Sequence, residues 1–264
     1  MHAYALAALL VVAQAQPAAS PEPDDERIRE FLRTASVVKV TSLSKGTTRP
    51  RRVTLSDGTL THDAVFQVID EAKPIERFAS GKVELDFRDS WQFNIAASEI
   101  ARLVGLGHMV PPAVERVING QRGSLVWWVE WEWDEQMRRA QKLVPPDRAD
   151  WARQWDTARV FGELIADTDR NQTNMLITRD WRLWMVDFTR AFRRSKQLRT
   201  PGALVRCPRA LLERLRTLRD EEVRAAAGYY LRGGEIEALM ERRARLIAHF
   251  EKLVAERGEH LVLF

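Results

Sequence analysis

Cysteine is almost absent from this chain: Cys207 is the single one in 264 residues. An internal disulfide and any zinc site built on cysteines are therefore excluded. A lone cysteine of this kind is expected to act as a small buried hydrophobe. Blocks of like charge are also missing. The net charge of +4 is the balance of 41 Lys and Arg against 37 Asp and Glu, and the two signs are interspersed. No nucleic-acid partner is expected from that distribution. No internal repeat is evident, and a hydrophobic content of 45% with 30% charged residues is ordinary for a globular protein. The length suits one domain with a real core, or two small lobes around a cleft.

The N-terminus bears on location. Met1 to Ala15 carries no acidic or basic residue, Ala3 to Val12 is nearly all apolar, and Ala13-Gln14-Ala15 has the small-x-small form of a signal-peptidase site. Residues 1–15 are read as an export signal, giving a periplasmic or extracellular protein. The missing positive charge before the apolar run leaves a cytoplasmic protein with a short N-terminal helix as the alternative. The run is too short for a stable transmembrane span, which needs about 20 apolar residues. Residues 16–23, QPAASPEP, form a linker, because its prolines and small residues build neither helix nor paired strand.

Beyond the linker the periodicity predicts a helix over 27–35, then strands over 37–41, 51–55 and 64–69, with Gly46 in the first loop and a tight turn at Asp57-Gly58. Ile95, Ala96, Ile100 and Leu103 follow a helical spacing that Gly105, Gly107 and Pro111-Pro112 stop. Strands over 114–118 and 125–129 flank Asn119-Gly120, a strong hairpin signal. A long helix carries Trp151, Trp155, Ala158, Phe161, Leu164 and Ile165 on one stripe. Two short strands over 175–178 and 183–186 follow, then helices over 208–218, 221–231 and 235–257. The class is α+β.

The chemistry concentrates in Asp169-Arg170-Asn171-Gln172-Thr173-Asn174 and in Val186-Asp187-Phe188. An acid, an amide five residues later and a second acid closing a short apolar strand is an arrangement that phosphoryl-transfer enzymes use for a base and two metal ligands. The hairpin between them brings Asp169, Asn174 and Asp187 to one cleft. Nine tryptophans, several of them between Trp127 and Trp133, are expected mainly in packing, with one face of Trp127-Trp128 available to a base-binding pocket. His62 and His108 lack partners at ligand spacing and are read as structural.

The DRNQTN-to-VDF segment resembles the catalytic and metal-binding loops of the atypical kinases that include HipA-type kinases, type II phosphatidylinositol 4-kinases and the secretory-pathway kinases that phosphorylate casein. Residues 64–69, Phe93 to Leu106 and Met109 to Arg116 are similar to the third strand, C-helix and following strand of the secretory kinases and bacterial relatives. The resemblance covers roughly residues 37 to 250. It implies a two-lobed protein-kinase-like fold, with a small antiparallel β lobe and one C-helix over 24–130 and a mainly helical lobe over 131–264. It further implies ATP or another nucleotide as cofactor with Mg²⁺ or Mn²⁺, Asp169 as the base, Asn174 and Asp187 as metal ligands, and an acceptor that nothing in the sequence marks.

The chain departs from that pattern at two places. The resembled kinases carry a phosphate-holding lysine on the third strand and a glutamate on the C-helix, where this chain has Gln67 and Asn94. Replacing both charges with amides avoids leaving one of them buried and unpaired, which costs about 3–5 kcal/mol. Gln67 and Asn94 are expected beside the nucleotide and bonded to each other. Lys45 beside Gly46, and Lys73, are the two lysines weighed as substitutes, with a solvated surface role as the alternative for each. Glu99 lies about 140° round the helix from Asn94 and cannot share its cleft. Three functions stay open: a phosphotransferase relying on its metal, a pseudokinase that binds nucleotide or a partner, and an exported α+β binding protein. An exported enzyme would meet little ATP.

Overall fold

A computed structural model describes residues 24–43, 49–78, 81 and 83–264. The expected export signal and linker lie outside them. The first helix, α1 (Asp25–Thr34), starts two residues before the predicted point because the Asp24 side chain accepts from Arg27 N at 2.9 Å and caps it. Strands β1 (Ser36–Ser42), β2 (Arg51–Ser56) and β3 (Thr61–Gln67) form a meander. Helix α2 (Gln92–Leu103) follows, and the hairpin β6 (Ala113–Ile118) and β7 (Gln121–Trp127) then completes one antiparallel sheet of order β1-β2-β3-β7-β6. The two predicted sheet segments are thus one sheet, joined where Gln67 pairs with Ser124 and Val65 with Val126.

The strand alternation sorts this sheet's residues. Val53, Leu55, Ala64, Phe66 and Leu125 face α1, where Phe31 and Leu32 cover them. Gln67 and Ser124 point the other way, toward α2. Gly123 permits the close pairing, since a Cβ there would stand 2.2 Å from the Gln67 carbonyl oxygen. Arg29 of α1 is fully buried and bonds Asp25, Glu99, Ser98 and the Ala113 carbonyl, which ties α1 to α2 and commits Glu99 away from the cleft.

Between β3 and α2 lies a hairpin that the periodicity does not predict, β4 (Asp70–Arg77) with β5 (Val83–Ser90). Its register is continuous, but the ladder lacks a pair at Pro74, which has no N–H to donate, opposite Asp86 at φ 51°. The remainder is mainly helical: after β8 (Trp133–Asp134) come α3 (Glu135–Ala140), α4 (Arg148–Leu164), the short strands β9 (Met175–Ile177) and β10 (Leu183–Met185), then α5 (Arg209–Thr217), α6 (Asp220–Ala227), α7 (Gly233–Arg257) and α8 (Glu259–Val262). β8, β9 and β10 make a three-stranded sheet. One core runs from Phe93 and Ile100 on α2 through Phe161 on α4 and Met175 and Met185 on the short strands to Leu239 and Phe250 on α7. Cys207 is buried, and burial pushes its thiol up to about 12. It has the packing role expected of it.

The tryptophans are mostly packing residues. Trp151 meets Trp155 and Trp181 edge-on, and Trp181 leans on Trp133. Trp127 stacks on His62 at 3.5 Å, and Arg52 stands over Trp128. His62 Nε2 bonds the Trp128 carbonyl, and burial holds its pKa below the ordinary value.

Candidate active site

α4 ends at Leu164, and Ala166 at φ 47° turns the chain into the Asp167–Asn174 loop. Asp167 anchors this loop. Its buried carboxylate accepts from Asp169 N at 3.1 Å and from Arg170 Nε at 2.8 Å. Arg170 then reaches the carbonyls of Asn174 and Val186, at 2.9 and 2.6 Å, so one guanidinium fastens the loop to the end of β10. The same side chain lies on the Phe188 ring. Arg170 is therefore a brace, and Asp167 is the group that holds it.

Asp169 and Asn174 sit on this loop, joined by a bond from Asn174 Nδ2 to the Asp169 carbonyl at 3.2 Å. Asn174 is buried, and its Oδ1 accepts no bond among the described residues. Asp169 keeps 43% of its side chain exposed. Asp187 follows β10 at φ 57°, a left-handed conformation that aspartate tolerates better than most side chains. Its surface is partly open to the cleft, yet protein surrounds the carboxyl closely enough that burial pushes its pKa up, against the Gln67 amide, Arg170 and Thr189.

Gln67 and Asn94 stand opposite. Asn94 Nδ2 donates to Gln67 Oε1 at 2.6 Å and to Ser124 Oγ at 3.1 Å, while Asn94 Oδ1 accepts from Phe188 N at 2.8 Å. Gln67 Nε2 donates to Asp187 Oδ1 at 3.4 Å. A neutral relay thus runs from the large sheet through α2 to the segment after β10. The expected contact between the two amides is present. Lys73 lies on β4, half-exposed, and pairs with Glu76 at 2.7 Å and Glu71 at 3.3 Å. Gly46 and Lys45 fall outside the described residues.

Two groups that the sequence did not single out also belong here. Asp89, at the end of β5, has a buried Oδ1 with no hydrogen-bond partner. Burial pushes its pKa up and the Asp187 charge adds to that, while Thr189, Arg190 and Arg193 oppose it. The Thr189 hydroxyl donates to Asp187 Oδ1 at 3.2 Å and lies against Asp89. Arg190 places Nη1 3.6 Å from Asp169 Oδ2. In sequence Asp89 looks like the entry to a helix and Arg190 like part of a basic loop. Only the β4–β5 hairpin, folded over residues 188–193 by the Ser90 N to Thr189 carbonyl bond of 2.8 Å, brings them to the cleft.

Two raised carboxylates side by side, with an uncommitted amide oxygen nearby, fit a hard divalent cation that takes oxygen ligands. No cluster of three or more His, Cys, Asp and Glu able to hold a metal occurs among the described residues. The donor set is two carboxylates and an amide.

No protein-family description and no curated protein matches the sequence. Solved structures do match its fold. The chain is similar to the hydra Fam20 structure determined with sugar, at 17% identity and a TM-score of 0.64, over 93% of this chain and 94% of that one. It is similar to the Golgi casein kinase with Mn and ADP bound, at 14% identity and a TM-score of 0.62, over 90% and 78%. The Helicobacter pylori proinflammatory kinase CtkA gives 8% identity and a TM-score of 0.52, over 88% and 98%. The chain shares the kinase-like fold of these structures. In this kinase-like fold, no helix of the described residues is long and apolar enough to cross a membrane.

Proposed function

We propose that the protein is a metal- and nucleotide-dependent phosphotransferase, with residues 24–130 as its small lobe, 131–264 as its helical lobe, and the Asp169, Asn174 and Asp187 cleft as its active site. The observation that carries this reading is the paired, burial-raised carboxylates Asp187 and Asp89 beside the uncommitted Asn174 Oδ1. The similar Golgi casein kinase, solved with Mn and ADP, supports nucleotide and Mn²⁺ or Mg²⁺ as the bound pair.

Asp187, Asp89 and Asn174 would hold the metal through oxygen. When bound, such a cation neutralises charge on the transferred phosphoryl group. Asp169, half-open to the cleft, accepts the proton of the acceptor hydroxyl. Asp167 and Arg170 fix the position of Asp169 through its own backbone N–H and through the loop. Gln67 donates a neutral hydrogen bond and no charge. Residues 1–15 are proposed as an export signal.

The satisfied Gln67–Asn94 relay favours a second reading, a pseudokinase that binds nucleotide or a partner without turnover. Phosphate release from ATP with Mn²⁺ or Mg²⁺, compared between wild type and Asp169→Asn, separates the two. The enzyme reading expects turnover that falls about 10²–10⁴-fold in the variant. Nucleotide binding with no turnover in wild type establishes the second reading.

A further inference from the structure

The site contains three guanidinium groups, and they are not equally committed. Arg170 is used fully by Asp167 and the two carbonyls of Asn174 and Val186. Arg193 is ion-paired with Glu84 and donates to the Arg88 carbonyl, although its Nη2 is buried without a hydrogen-bond partner. Arg190 differs. Its side chain makes no hydrogen bond among the described residues, only two loose ion pairs of 3.6 Å each, to Asp169 and to Glu84. Its Nε is buried without a partner. A guanidinium carries five donors, so this one is markedly under-used for a side chain only 18% exposed.

Its position is nevertheless fixed. The Arg190 carbonyl accepts from Thr168 Oγ1 at 3.0 Å, and the guanidinium lies over the rings of Phe78 and Phe87, 4.9 and 5.4 Å from their centroids. A planar cation lying against two rings, beside the proposed base and close enough to Asp89 to act on its charge, is arranged to receive an anion with two oxygens. Across the cleft, Gln67 offers no positive charge. Once a divalent cation neutralises Asp187 and Asp89, and Arg193 neutralises Glu84, Arg190 has Asp169 as its one remaining counter-charge, at a loose 3.6 Å.

We infer that Arg190 is a phosphate-binding residue of this chain, taking the terminal phosphate of a nucleoside triphosphate from the floor of the cleft. The inference rests on the nucleotide reading above. A phosphorylated acceptor could present the same oxygens, and the two sources differ in what they lose with Arg190. Binding of ATP, ADP, adenosine and phosphoserine to the full chain in Mn²⁺ is the measurement, made on wild type, Arg190→Gln and Arg190→Lys.

The expected result is ATP weakened about tenfold or more in Arg190→Gln, ADP weakened less, and adenosine unchanged. Arg190→Lys, which keeps charge but not the planar fork, is expected to lose about threefold for ATP. If Arg190→Gln does not fold, the lysine variant decides alone. ATP and ADP binding unchanged in the variants, with wild type binding both more tightly than adenosine, would overturn the role of Arg190 and leave the nucleotide site standing. The same assignment is overturned if Arg190→Gln leaves ATP untouched and weakens only phosphoserine. Wild type that binds neither ATP nor ADP removes the nucleotide reading and this inference with it.

Discussion

The two walls of the cleft handle charge in opposite ways. On the sheet and helix side, Gln67, Asn94 and Ser124 are buried, neutral and bonded to one another. On the loop side, Asp89, Asp167, Asp169 and Asp187 stand among Arg170, Arg190 and Arg193. The neutral wall has its donors and acceptors satisfied internally and needs no ligand to be stable. The charged wall leaves Asp89 Oδ1, Asn174 Oδ1 and guanidinium nitrogens of Arg190 and Arg193 without hydrogen-bond partners among the described residues. Buried polar groups without partners thus gather on the second wall, where the ligand is proposed to bind.

Breaking the neutral wall gives the largest effect on stability. Asn94→Ala removes the partner of Gln67 Oε1, Ser124 and the Phe188 N–H together, and is expected to cost roughly 2–4 kcal/mol in denaturant unfolding. A loss well under 1 kcal/mol would show that the relay is not a connected network. On the charged wall the sign reverses. Asp187 has a folded pKa raised by burial, so its contribution to stability is full below the ordinary carboxylate range and is lost as pH rises from there through the raised folded value. Asp187→Asn should therefore stabilise the metal-free protein near neutral pH by roughly 1–3 kcal/mol, with the gain vanishing in acid. Thermal midpoints in chelator across that pH range check it.

Smaller changes sharpen the contrast. Asp89→Asn is expected to weaken Mn²⁺ binding about tenfold, read by calorimetry, and equal affinity would remove Asp89 from the ligand set. Lys73→Ala should change stability by less than about 0.5 kcal/mol and leave nucleotide affinity alone, because its exposed ion pairs lie outside the cleft. A loss of nucleotide affinity there would restore Lys73 as the substitute cation.

The neutral wall was legible in the sequence because its residues sit in strongly periodic elements. Gln67 ends an alternating strand and Asn94 opens an apolar helix, and their facing each other follows from packing one on the other. The charged wall was legible only in part. Asp169, Asn174 and Asp187 share a short local motif, whereas Asp89 and Arg190 reach the site through β4 and β5. Those strands are largely exposed, rich in charge and interrupted by Pro74, so they lack the alternation that marks a half-buried strand. Their pairing is set by contact with residues 188–193, which no local pattern encodes. The single large sheet was hidden for a similar reason, since the β3 to β7 pairing spans the whole of α2.

The central claim is that the charged wall binds nucleotide through a metal despite the neutral wall opposite. Its most direct test is the thermal midpoint of the full chain with ATP and Mn²⁺ together and with each alone, in wild type and Asp187→Ala. The account predicts a rise of roughly 5 °C or more with the pair at saturating concentration, and none in the variant. A wild-type midpoint that the pair leaves unmoved, or an equal rise in Asp187→Ala, would contradict it.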